Sequence, residues 1–110
     1  MQKENDNTMK KTEVYRAVLD IVCEECEICE SSLLSGLRTA DVVDARCILV
    51  QCLQEQGMYP TEIARFTGLA TRSVHHILCH FDERLKFNFY FRNNYANVRQ
   101  SIGKNLLLQS

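Results

Sequence analysis

Two groups of residues in this chain have the types and spacing to do chemistry. Cys23, Cys26 and Cys29 form a C-x2-C-x2-C run. Joined by one of His75, His76 or His80, such thiolates are of the kind that hold zinc or an iron–sulfur cluster. The second group is Thr71-Arg72-Ser73 with His75 and His76, a run of hydrogen-bond donors set among apolar Val74, Ile77 and Leu78. A guanidinium in such a run suits nucleic acid, because Arg72 can donate two parallel hydrogen bonds to a guanine edge in the major groove.

The cysteine run has a strong competing explanation. Positions i, i+3 and i+6 of a helix drift along one face, and Val18, Leu19 and Val22 make that face apolar. There a free cysteine acts as a small hydrophobe. Thiolate ligands converge across a turn, and neither Gly nor Pro breaks this stretch. No metal and no cofactor are therefore expected; a metal- or redox-sensing regulator is the function the run would imply if it did bind. An enzyme is not expected either, since the chain offers no Ser/His/Asp order, phosphate-cradling glycine loop or paired-carboxylate pocket.

The elements that position these residues are helical. Val14, Val18, Val22, Cys26 and Cys29 recur at helical spacing with Leu19 and Ile21 alongside, predicting a helix from Thr12 to about Glu30. Ser31 to Thr39 reads as a short loop or half-turn. Thr39 or Asp41 then caps a helix through Val43, Ile48, Leu49, Cys52 and Leu53 to Gln56, stopped by Gly57. A third starts at Pro60, with Glu62 at the positive end of its dipole, and ends near Thr67-Gly68. A fourth covers Thr71 to Leu85, and a fifth Phe89 to about Lys104, through Phe91, Tyr95, Val98, Ile102 and Leu106. No segment alternates like a half-buried strand. The expectation is an all-α fold, a compact bundle of about five helices.

At 110 residues the chain has room for one compact domain. We divide it into a lead at residues 1–11, a helical domain at 12–86 and an extension at 87–110. The lead is polar and does not read as a signal peptide or anchor, and no apolar run is long enough to span a membrane. The six cysteines then fit a reducing, cytoplasmic setting. The net charge of −1 argues against a nucleic-acid partner, but the charge is unevenly placed. Residues 1–59 hold six Lys and Arg against eleven Asp and Glu, whereas residues 60–110 hold seven against three. The basic half contains Arg72 and all three histidines, and a local field decides docking more than the whole-chain sum.

Residues 60–79 satisfy the requirements of a helix-turn-helix in order. Ile63 and Ala64 supply the inner face of the first helix, Gly68 the tight turn and Leu69 the plug behind it. Val74, Ile77 and Leu78 form the inner face of the second. That leaves Thr71, Arg72, Ser73, His75, His76 and Cys79 facing outward. Arg72 is the base-reading candidate, and Thr71 and Ser73 suit phosphates or a thymine methyl. Thr61, Arg65, Arg84 and Lys86 are grouped with them as contacts, the three cations as phosphate clamps.

Upstream, Leu34-Ser35-Gly36-Leu37-Arg38 is followed by Val42-Val43-Asp44-Ala45-Arg46 and an apolar helix. With Ile28 before it and the helix pair after it, this stretch resembles the C-terminal DNA-binding domain of the bacterial chromosomal replication initiator DnaA, of the Trp-repressor-like superfamily. The likeness covers about residues 14 to 83. It implies that Arg38 reaches the minor groove beside the site read by the recognition helix, and that Arg46 is mostly structural. The family's Gly-Gly-Arg-Asp-His-Thr-Thr run is here Gly68-Leu69-Ala70-Thr71-Arg72-Ser73, one residue shorter and without Arg-Asp-His. The family's target sequence is therefore not expected. Nothing matches the family's ATPase domain, so no nucleotide partner is expected.

The functional expectation is a sequence-specific double-stranded DNA-binding protein, a small transcription regulator or accessory factor, reading the major groove with residues 71–85. A homodimer is a further expected partner, since one recognition helix addresses only a few base pairs. The alternative is a protein-interaction adaptor, with the helix pair as inert scaffold. The aromatic cluster of Phe87, Phe89, Tyr90, Phe91 and Tyr95 is expected mainly to cover the core, with a dimer surface as the competing assignment.

Overall fold

A computed structural model describes residues 10–107 of the chain, and the side chains of residues 10–105. Residues 1–9 of the expected lead and the end of the extension lie outside the described residues. Six α-helices and no strand are present among the described residues: α1 (Lys11–Cys26), α2 (Glu30–Leu33), α3 (Ala40–Glu55), α4 (Pro60–Thr67), α5 (Thr71–Phe87) and α6 (Phe89–Leu107). None is long and apolar enough to cross a membrane. The extra element is α2, a single turn inside the segment read as a loop.

The first helix is shorter than its apolar period suggests. It stops at Cys26 because Glu27 takes a left-handed conformation (φ 56°, ψ 47°). The Ile28 N–H then donates to the Cys23 carbonyl at 3.0 Å and the Glu27 N–H to Glu24 at 3.3 Å, the paired bonds of a Schellman motif. Burial of Ile28 in the core accompanies the reversal. The expectation that Cys23, Cys26 and Cys29 share one helix is thus corrected: Cys29 lies beyond the reversal, at the N-cap of α2. A glutamate occupies the position where glycine ordinarily marks a helix end, which hid the boundary.

The same device recurs with glycine at the end of α3. Gly57 (φ 97°) lets its N–H reach Gln54 at 2.9 Å while the Met58 N–H reaches Leu53 at 3.2 Å, and Met58 folds inward. The start of α4 has Pro60 in the first turn, where its missing N–H costs nothing. Glu62 Oε1 there accepts the Tyr59 N–H at 2.9 Å.

One core joins all six helices. Val18, Leu19 and Val22 of α1, Leu33 of α2, Ile48, Leu49, Val50, Cys52 and Leu53 of α3 and Ile63 of α4 are fully buried. So are Val74 of α5 and Phe91 and Val98 of α6, with Phe81 nearly so. The segment read as an extension therefore belongs to the core, through Phe91, Val98 and Ile102. Phe81 meets Phe91 and Tyr95 edge-on at 5.2 and 4.8 Å, fixing α5 against α6. The aromatic cluster is split by this packing: Phe91 is core and Tyr95 half-buried, but Phe87, Phe89 and Tyr90 stand in solvent.

Candidate nucleic-acid interface

The α4–α5 pair is held from inside. Ile63 and Val74 are fully buried, Ala64 nearly so, and Leu69, Ile77 and Leu78 are half-buried against the core. Gly68 (φ 83°) ends α4 with a single bond from its N–H to the Ala64 carbonyl at 2.9 Å, the left-handed cap that glycine makes at low steric cost. Thr67 adds a second tie. Its buried hydroxyl donates to the Ile63 carbonyl at 2.7 Å and accepts the Leu69 N–H at 3.3 Å, so one side chain bonds to backbone on both sides of the turn.

The segment before α3 is organised by Arg46. Its Nε donates to the Leu33 carbonyl at 3.1 Å, and its Nη2 donates to Ser35 at 2.8 Å and Leu37 at 3.1 Å. A planar guanidinium can satisfy three carbonyls that curve around it, whereas an ammonium offers no such fork. Arg38 follows directly on this loop and is exposed.

Between this loop and the first half of α5 runs an open groove of about 500 Å³, with Arg38, Arg46, Arg72, Ser73, His76 and Arg84 among its lining residues. Residues 34 positions apart in sequence, Arg38 and Arg72, thus share one concave wall. Arg72, Ser73 and His76 are exposed on α5. Arg84 faces the same groove, but its guanidinium is engaged: Nη1 lies 3.0 Å from Asp44 Oδ1, and the group sits 5.6 Å from the Phe91 ring. Burial raises the Asp44 carboxyl above its usual range, outweighing the opposite pull of Arg84.

The remaining candidates lie outside the groove lining. Thr71 and His75 are exposed on α5, and Thr61 is exposed in the first turn of α4. Arg65 is exposed in the last turn of α4 with its guanidinium 5.6 Å from the Phe66 ring. Lys86 is exposed in the last turn of α5, about 20 Å along the helix from Arg72. Thr67, Asp44 and Glu27 were not singled out in the sequence. Thr67 is a polar residue whose type predicts exposure, and the Asp44–Arg84 pair spans 40 positions.

The cysteines are dispersed in environment. Cys47 and Cys52 are buried, Cys23 and Cys26 half-buried, and Cys29 and Cys79 exposed. Burial pushes the Cys26 thiol up to about 11, whereas bonds from the Ser31 and Ser32 hydroxyls bring Cys29 down to about 7. Among the described residues no three His, Cys, Asp or Glu side chains are grouped so as to hold a metal ion. No family model, curated protein or solved structure matches this chain.

Proposed function

We propose that this chain is a sequence-specific double-stranded DNA-binding protein, a small transcription regulator or DNA-binding accessory factor working in the cytoplasm. The observation that carries the reading is the basic groove in which Arg38 of the upstream loop and Arg72, Ser73 and His76 of α5 lie together. In this reading α4 and α5 form a helix-turn-helix. The first half of α5 enters the major groove, Arg72 reads a base edge, and Thr71, Ser73, His75 and His76 flank it. Arg38 contacts the adjacent backbone or minor groove, as the likeness of residues 34–46 to the DnaA C-terminal domain implies. Thr61 and Arg65 border the pair as phosphate contacts. Arg84 acts as a brace, because Asp44 engages its charge.

Selection of bound sequences from a random duplex pool, with wild type, Arg72→Ala and Arg38→Ala in parallel, tests this. The wild type should enrich a short motif and bind with affinity that falls steeply with salt. Arg72→Ala should relax one position of that motif, at a cost of about 1–3 kcal/mol. Arg38→Ala should weaken binding with little change at that position. Weak, salt-insensitive binding without enrichment refutes the proposal.

A further inference from the structure

Phe87, Phe89 and Tyr90 stay in water after the helices have packed, at 81%, 65% and 77% exposure, although Phe91 beside them is completely buried. They crowd the sharp junction at Asn88, where α5 ends and α6 begins. Arg92 fastens that junction by donating to the Leu85 carbonyl at 2.8 Å. Phe89 and Tyr90 lean edge to face at 5.8 Å and project together as one knob. The three rings leave on the order of 450 Å² of aromatic surface in water, a patch of the size that marks interaction sites on small proteins.

Next to the knob is an open depression of about 420 Å³ lined by His76, His80, Glu83, Arg84, Phe87 and Asn88. Knob and depression are thus neighbours on one surface. Glu83 lines the depression, 3.7 Å from His80, and the neighbouring turns of α5 and α6 carry exposed charges of both signs, Asp82, Lys86 and Arg92.

We infer that this elbow docks onto a second copy of the chain through a two-fold contact. A two-fold contact needs a surface complementary to itself, and this one offers a projecting pair of rings beside a hollow, and acidic beside basic groups. Rotation about an axis through the elbow sets each knob toward the partner's hollow and each Asp82–Glu83 pair toward the partner's Lys86 and Arg92. A nucleic acid or an anionic bilayer would complement only the basic half of the rim and would meet Asp82 and Glu83 unfavourably. A stable small interface buries roughly 800 Å² per partner, so the charged turns around the rings take part in the contact as well. The inference does not depend on DNA binding. If α5 does read DNA, two copies joined near its C-terminal end would present two reading tips, with His76, which lines both the groove and the hollow, at the border of the two surfaces.

Sedimentation equilibrium of the full chain without DNA, from about 1 μM to about 1 mM, tests the inference over the range in which such an interface assembles. The wild type should pass from monomer to dimer. Phe87→Ser/Tyr90→Ser should stay monomeric throughout while keeping the wild-type helical signal and melting behaviour, since both side chains lie outside the core. Asp82→Lys/Glu83→Lys, which leaves an all-basic rim, should weaken dimerisation at least tenfold. A wild type that remains monomeric to the top of the range overturns the inference. So does a Phe87→Ser/Tyr90→Ser variant that dimerises as tightly as wild type, or a charge-reversed variant with unchanged affinity.

Discussion

Replacing Arg46 by Met keeps the length and most of the apolar stem but deletes the guanidinium that holds the loop before α3. Three bonds disappear, to the carbonyls of Leu33, Ser35 and Leu37. The first two are only partly shielded from water, so each is set at about 1–1.5 kcal/mol net, below the roughly 1.5–3 kcal/mol of a well-buried bond to a charged donor. The bond to Leu37 is exposed and should contribute little, because water replaces it. The expected loss is therefore about 2–3 kcal/mol, a large share of the stability of a domain this size. In thermal unfolding followed by far-ultraviolet circular dichroism, Tm should fall by roughly 10 °C or more. Arg46→Lys should recover only part of the loss, since an ammonium cannot reach all three carbonyls with one rigid fork. Hydrogen exchange separates global from local effects: amides of residues 33–39 should lose protection even where the helices retain theirs. A Tm within a few degrees of wild type, together with unchanged exchange over 33–39, would falsify the assignment of Arg46 as organiser of this loop.

Three further outcomes are expected. Glu27→Gly should stabilise the protein by about 0.5–1 kcal/mol in urea unfolding, the relief of a left-handed residue with a side chain less the entropy of a freer unfolded chain; a clear loss of stability would argue against the Schellman end of α1. Alkylation by iodoacetamide should be fastest at Cys29 near neutral pH, with a rate midpoint at about 7 that moves upward in Ser31→Ala, as peptide mass mapping can follow. Arg84→Met should destabilise most near neutral pH. The folded-state pKa of Asp44 is already above its unfolded value, so its ionised form disfavours folding as pH rises through that window, and loss of Arg84 widens it. Acidification below the unfolded value should then remove much of the variant's deficit, and a deficit independent of pH would show that the ion pair is not its source.

Much of the helical framework was legible from the residues alone, because amphipathic period and helix punctuation are local. Pro60, Gly57 and Gly68 mark helix ends through steric limits on φ that operate regardless of what lies around them. The inner face at Ile63, Ala64 and Val74 follows from 3.6-residue spacing. The end of α1 was not legible, since a glutamate adopts the left-handed turn and only burial of Ile28 against distant helices makes that favourable. The one-turn α2 was hidden for a related reason: a helix so short has no period to read.

What tertiary structure alone decided is which side chains meet. The Arg46 fork, the Asp44–Arg84 pair and the groove shared by Arg38 and Arg72 join segments 9 to 40 positions apart, and no local rule specifies such distances. The division of the aromatic cluster was likewise a matter of packing. One helical register turns Phe91 into the core and leaves Phe87 and Phe89 outside with Tyr90, although the three phenylalanines have the same affinity for the interior. Sequence thus determined where helices begin, end and turn an apolar face. The way those faces close on one another determined which polar groups are braced, and which charges and rings are left for a partner.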